Sequence, residues 1–315
     1  MNCRIVEVNP WKSFLHEKFI GKTERMQSRF VMARLNLGFL LFTCLGLLPI
    51  VSQAAGVASV AVKSTATRPY EFKGLSVGVV SGYIDYKEPG YMREYGQLYG
   101  LNVGYSVLDE TTTLAFNVEG QLVAGRLLYD GADVNLDTGV TTPKTSPTDD
   151  YIYNIRGTIG TYREINSLFA ITPYAGLGVR VLNDKIIGSG SYNRNVSYIY
   201  LPIGVMFAGW FNDSWSYSLA GDLDFVVFGT VISKFSDVNP SNPDITNHNR
   251  GTGARLQTSI RRNFSRFAIH AGVFYQKWKM DQSDGVSVTI NNKPGSLIEP
   301  TNESDFAGLD IGMDF

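Results

Sequence analysis

The sequence predicts an all-β chain, a closed antiparallel transmembrane β-barrel of about ten strands. Three observations carry this reading. Segments of roughly 9–11 residues alternate apolar and polar side chains with a period of two. Short and long polar connections alternate between them. The last segment, 304–315, keeps the alternation to its final residue: Ala307, Leu309, Ile311, Met313 and Phe315 share one face, and Gly308, Asp310, Gly312 and Asp314 the other. One face suits hydrocarbon and the other water. The edge of such a strand needs a partner, and a closed barrel supplies one by pairing the last strand with the first.

Composition fits the same class. With 44% hydrophobic and 18% charged residues the chain reads as soluble by hydropathy, as a membrane barrel does, because half of its strand residues face a polar lumen. Gly 32, Tyr 17 and Phe 18 match the need for small lumen residues and aromatic girdles.

The one continuously apolar stretch, 35–51, follows Arg29 and Arg34 and precedes Ser52, Gln53 and Ala54, a small-x-small cleavage signal. It reads as a secretory signal peptide; Asn36 and Pro49 interrupt a span already short for a bilayer helix. Residues 1–54 are therefore expected to be a leader, with Met26 or Met32 as the expected translation start. Residues 55–70 are expected to be a flexible periplasmic segment and 71–315 the barrel. The leader takes both cysteines, Cys3 and Cys44, so the mature chain is thiol-free. It also takes seven Lys/Arg and three Asp/Glu, leaving 21 basic and 26 acidic residues, net −5. No basic tract points to nucleic acid.

Taken in order, the first strand is expected at 72–86, followed by a break carrying Pro89 and Gly90. The second, 94–107, sets Tyr95, Tyr99, Leu101, Val103, Tyr105 and Val107 against Gly96, Gly100, Asn102, Gly104 and Ser106. Asp109, Glu110 and Thr111 form a tight turn into 112–128, where Leu114, Phe116, Val118 and Leu122 oppose Asn117, Glu119 and Gln121. After a long polar loop at 129–149 comes 151–162, with Tyr153, Ile155 and Ile159 outward and Asn154, Arg156 and Thr158 inward. The strand at 168–182 turns Tyr174, Gly176, Gly178 and Arg180 inward. Further strands are expected at 197–210, 215–228, 253–261, 266–278 and 304–315, with long loops at 183–195, 230–250 and 280–302. Both chain ends then lie on the short-turn side.

The terminal Phe315 and the segments at 173–180 (P-Y-A-G-L-G-V-R) and 200–205 (Y-L-P-I-G-V) resemble strands of small OmpA/OmpX-like and opacity-type outer-membrane barrels. The resemblance covers 72–315. It implies the bacterial outer membrane, with its lipid and lipopolysaccharide as surroundings, and makes Phe315 part of the signal read by the barrel-assembly machinery.

Inward parity gathers Glu119, Asp222, Asp224, Asp310 and Asp314 with Arg156, Arg180, Arg255 and Arg261, read as a salt-bridged plug in a lumen that side chains largely fill. The strand number resembles that of omptin proteases, which use an aspartate pair and an Asp-His pair at the outer rim. Asp222-x-Asp224 has the first spacing, but no Asp-x-His exists; His248 is expected in a loop, and His270 inward as a hydrogen-bonding residue. Ser265 with His270 is no recognisable serine-histidine hydrolase pair. The run Asp133, Asn135, Asp137, Gly139 imitates a calcium loop but has its glycine one place late and Lys144 where a bidentate Glu belongs. No catalytic, cofactor or metal residue is assigned. The expected role is a non-enzymatic surface protein, structural or adhesin-like, whose loops meet a host or surface ligand. A narrow porin-like channel lined by the lumen charges and an outer-leaflet hydrolase are the alternatives.

Overall fold

The computed structural model describes residues 74–134, 140–188, 190–290 and 293–315. The leader, the segment 55–70 and the side chains of the run 133–139 lie outside them.

The elements are β1 (Gly74–Glu88), β2 (Met92–Asp109), β3 (Leu114–Val134), β4 (Thr141–Thr161), β5 (Arg163–Asn166), β6 (Phe169–Ile186), β7 (Asn193–Asn212), β8 (Trp215–Ser233), β9 (Ile245–Asn263), β10 (Ala268–Met280), β11 (Val286–Ile290), β12 (Lys293–Leu297) and β13 (Asn302–Asp314). One antiparallel sheet runs from β4 back through β1 to β13 and on to β6, and a β4–β6 pairing closes it into a ten-strand barrel. β5 is a short edge on β6, and β11 and β12 form a separate hairpin.

The last strand pairs with the first, as its alternation predicts. β13 pairs with β1 from Ser76↔Asp314 to Lys87↔Glu303, and the backbone of Phe315 exchanges hydrogen bonds with Leu75 (Phe315 N to Leu75 O 2.8 Å, Leu75 N to Phe315 O 3.2 Å). The turns at that end are set by short polar side chains. Asp109 accepts from Thr111 N (2.9 Å) and from Thr112 Oγ1 (2.7 Å), and Asn212 Oδ1 accepts from Ser214 N (2.9 Å) and Trp215 N (3.0 Å).

The outer surface carries a belt that a water-soluble protein would not leave bare. Val79, Leu101, Val118, Ile155, Leu177, Ile203, Leu223, Leu256, Val273 and Leu309 are all exposed. Phe116, Phe211, Trp215, Phe264 and Phe315 are exposed toward the short-turn end, and Tyr83, Tyr151 and Tyr275 toward the other. Beyond the second girdle the outward positions become charged and paired: Asp85 with Lys87 and Arg93, Arg126 with Asp149, and Lys277 with Asp305. These charges mark where the apolar band ends. The belt and the closed ladder place the chain in the bacterial outer membrane.

The long polar stretches are where the structure corrects the sequence reading. Much of 129–149 and 230–250 is strand, since β3 and β4 stay paired to Val134↔Thr141 and β8 and β9 to Ser233↔Ile245. The expected loop 183–195 shrinks to the six residues between Ile186 and Asn193, and 280–302 contains the β11–β12 hairpin. His248 accordingly lies on β9, its ring 5.3 Å from that of Phe228. Polarity was the misleading signal: a ladder outside the bilayer is wetted on one face, so it needs no outward apolar residues to persist. A strand of 21 residues is about 70 Å long, and tilted by about 40° it spans far more than the apolar band of about 25 Å. A bulge on β8, where the β7 register skips Val227 between Ile199↔Phe228 and Tyr200↔Val226 and the β9 register skips Val227 and Phe228, leaves both of those residues exposed in succession.

Candidate functional site

The site is the barrel interior, built in layers by strand parity. Nearest the short-turn end, Ala115, Tyr162, Ala170, Ala208 and Trp210 pack together. Above them is a polar cavity of about 200 Å³ whose lining includes Asn117, Thr158, Ser218, Ser259, His270 and Asp314.

The charged layer follows, and its expected members separate into two groups. In the first, Arg156 is the hub: Nε donates to Glu119, and Nη1 donates to Asp222 Oδ2 at 2.9 Å. Arg255 Nη1 also donates to Glu119, and its Nη2 reaches Gln257 Oε1 at 2.9 Å. Tyr174 donates its hydroxyl to Asp222 Oδ2 at 2.7 Å. In the second, Arg261 Nε lies 3.0 Å from Asp314 Oδ2, and His270 bridges two carboxylates, Nδ1 3.1 Å from Asp314 Oδ2 and Nε2 3.8 Å from Asp310 Oδ2. Asn102 Nδ2 donates to Asp310 Oδ2 at 2.8 Å. Thus Glu119, Arg156, Asp222 and Arg255 meet, as do Arg261, Asp310 and Asp314, while Arg180 and Asp224 join neither group by an ion pair among the described residues. Arg180 lies over the Trp278 ring, 5.5 Å from its centroid, with Nη1 unpartnered, and Asp224 Oδ1 is likewise unpartnered. Asp222 and Asp224 are both buried inside the barrel and do not stand at its rim.

Over the charges sits an apolar plug. Val80, Ile84, Leu98, Val123, Leu127, Ile152, Leu182, Val196, Tyr198, Tyr200, Val226, Val231, Phe274, Trp278, Met280 and Phe306 form one contiguous buried cluster, contributed by nine of the ten barrel strands. The cluster therefore crosses the whole lumen. Trp278 meets Tyr200 edge-on at 5.0 Å and Tyr198 at 5.7 Å, and Phe274 meets Phe306 at 5.0 Å. β9 adds glycine at this level, and the reason is spatial: a Cβ on Gly253 would lie 2.8 Å from the Trp278 ring. Gly178 makes the same room for Tyr200, whose Cζ would lie 2.2 Å from an added Cβ.

A second charged layer, missed in the sequence reading, closes the outer end above the apolar band. Arg194 is fully buried; Nη1 pairs with Glu88 and, at 3.1 Å, with Glu299 Oε1, and Nε lies 3.2 Å from Asp184 Oδ2. Its guanidinium lies 4.9 Å over the Tyr86 ring, and Tyr86 donates to Glu88 Oε1 at 3.1 Å. Thr148 Oγ1 is 2.9 Å from both Asp150 Oδ1 and Asp184 Oδ1. Glu94 completes the group, fully buried with neither carboxylate oxygen partnered. The neighbouring outward residues Lys87, Arg93 and Asp149 are charged and place this layer outside the membrane-spanning part. Burial, reinforced by the nearby Glu88 and opposed by Arg194, pushes the Glu299 carboxyl up to about 8. Burial and the mutual repulsion of neighbouring carboxylates also hold Glu94 and Asp150 well above the usual carboxylate range. Parity could have found this layer. Asp150 shares the phase of Ile152, Asn154 and Arg156; Asp184 that of Arg180 and Leu182; and Arg194 that of Val196, Tyr198 and Tyr200.

Above it the β11–β12 hairpin folds back, burying Val288 and Leu297 against Phe235 and Ile245, and Asn247 Nδ2 donates to Ser283 Oγ (3.0 Å) and Leu297 O (3.3 Å).

No known protein-family profile and no curated protein matches this chain. Among solved structures, it is similar to the outer membrane protease OmpT from Escherichia coli, at 10% identity over 80% of this chain and 100% of that one, TM-score 0.49. It is also similar to the transport unit of the autotransporter AIDA-I from Escherichia coli, at 9% identity over 87% and 97%, TM-score 0.39. A third is the translocator domain of the autotransporter NalP from Neisseria meningitidis, at 9% identity over 85% and 97%, TM-score 0.35. At these values none of them bears on what this chain does.

Proposed function

We propose that this barrel is closed to solutes and works through what it holds above the membrane, as a structural or adhesin-like surface protein without a catalytic role. The observation that supports this most directly is the apolar plug, to which nine of the ten strands contribute. Close packing of Trp278, Phe306, Leu98 and Ile152 supports a layer that opposes the passage of water and ions, with Arg180 the one charge held against the Trp278 ring among the described residues. Two charged layers bracket the plug; the side chains of both pair with one another, and those of the inner layer also line the cavity of about 200 Å³. The β3–β4 and β8–β9 ladders stay paired well clear of the bilayer, to Val134↔Thr141 and Ser233↔Ile245, on a rigid base. A kinship with OmpA/OmpX-like or opacity-type barrels, suggested by 173–180 and Phe315, accords with this role.

Two measurements test it. The refolded protein in a planar bilayer should be electrically silent; discrete, ion-selective openings in the unaltered protein would make it a channel. Replacing 234–244 by a two-residue turn should leave the barrel folded while abolishing adherence of cells that display it; unchanged adherence would remove the β8–β9 tip from the proposal.

A further inference from the structure

The outer charged layer is out of balance. Five buried carboxylates, Glu88, Glu94, Asp150, Asp184 and Glu299, face one buried guanidinium, Arg194. Arg194 serves Glu88, Glu299 and Asp184, and Tyr86 adds a hydrogen bond to Glu88. That leaves the side of the cluster toward β2 and β4 without a cation among the described residues. Thr148 has one hydroxyl proton and two carboxylates at 2.9 Å, so it satisfies one of Asp150 and Asp184 at a time. Glu94 is fully buried and neither oxygen has a hydrogen-bond partner among the described residues, yet its carboxylate is aimed at the other two. An unpaired carboxylate in such a place is strongly unfavourable unless a proton or a metal ion meets it.

The geometry answers which. One oxygen from each of Glu94, Asp150 and Asp184 lies within 4.8 Å of the others. Calcium takes all-oxygen sets of several protein carboxylates at about 2.3–2.6 Å, whereas magnesium usually keeps several waters and takes only one or two carboxylates. A set of three carboxylates, with no nitrogen or sulfur among them, selects a hard cation. The three come from strands β2, β4 and β6, locked by the Tyr86↔Glu94 and Asp150↔Asp184 pairings, so the site is held by ladder backbone and not by a loop. We infer that Glu94, Asp150 and Asp184 form a calcium site at the outer end of the barrel, where the ion supplies the charge that Arg194 alone does not.

The test uses the refolded full-length barrel in detergent, stripped with EDTA and titrated calorimetrically with calcium chloride. One ion should bind per barrel, and Glu94→Gln should weaken binding by about ten-fold or more, because affinity follows the charge count of the ligands. Calcium should raise the temperature of the heat-dependent gel mobility shift for the wild type and leave that of Glu94→Gln unmoved; magnesium should reproduce neither effect. In EDTA, Glu94→Gln should melt no lower than the wild type, since a neutral amide replaces an unpartnered acid. The assignment is overturned by the absence of saturable calcium uptake in the wild type, or by one-to-one uptake with unchanged affinity in Glu94→Gln. If that variant does not fold, Asp150→Asn takes its place with the same outcomes. An anomalous peak from a calcium-soaked crystal should lie among the three carboxylates, and a peak elsewhere alone refutes the site.

Discussion

Replacing Arg156 by methionine decides whether the lumen charges sit in a sealed interior or in a hydrated bore. Arg156 is the hub of the mid-barrel group, with Nε on Glu119 and Nη1 2.9 Å from Asp222 Oδ2. In the variant Glu119 retains Arg255, but Asp222 keeps only the Tyr174 hydroxyl at 2.7 Å, with Oδ1 already unpartnered. In a sealed, buried network the loss of one partner costs about 3–5 kcal/mol, because an uncompensated charge is left behind. In a water-filled pore the same ion pairs would be worth about 0–1 kcal/mol. The two cases differ by several kcal/mol, which urea unfolding of the refolded barrel in lipid vesicles resolves. Adding Asp222→Asn to Arg156→Met should recover part of the loss, with a coupling of about 0.5–3 kcal/mol between the two sites. A loss below about 1 kcal/mol for Arg156→Met, with no coupling to Asp222, refutes the sealed lumen.

Trp278→Ala removes the ring that packs on Tyr198, Tyr200 and Arg180; it should cost about 3–5 kcal/mol and produce measurable conductance where the wild type is silent. Phe315→Ala should lower the amount of barrel assembled in cells, yet change the unfolding free energy of protein refolded in vitro by less than about 1 kcal/mol. The Phe315 ring faces outward, and its hydrogen bonds to Leu75 are made by backbone. Glu299 gives a pH dependence of definite sign. Its carboxyl is raised to about 8 in the folded barrel against an ordinary 4.5, so between those values the folded state keeps a proton that the unfolded chain has released. Stability in EDTA should therefore fall, by a few kcal/mol in order of magnitude, as pH rises from about 4.5 to about 8, and level off above. Glu299→Gln should flatten the slope, and a stability that rises across that window in both proteins would contradict the buried placement of Glu299 among Glu88, Asp184 and Arg194.

What the sequence by itself determined about this protein is everything that period two can carry. The face of each strand residue follows from local chemistry, so Leu101, Val118 and Leu309 were legible as lipid-facing, and Glu119, Arg156, Asp222, His270 and Asp314 as lumen-facing, without knowledge of any neighbour. Closure was legible too, since a final strand with one oily and one wet face demands a partner, and β1 supplies it. The tertiary structure alone decided which inward residues meet. Parity fixes a side chain's direction, but its height and angular position depend on strand stagger, which is a property of the closed ring. Hence Arg180, placed with the charges by parity, lies instead on Trp278 in the apolar layer. Hence also Glu94 and Glu299, more than two hundred residues apart in the chain, share one buried cluster with Asp150, Asp184 and Arg194. Polar composition at 129–149 reads as loop until the ladder above the membrane is seen to continue, because outside the bilayer an outward strand face has no reason to be apolar.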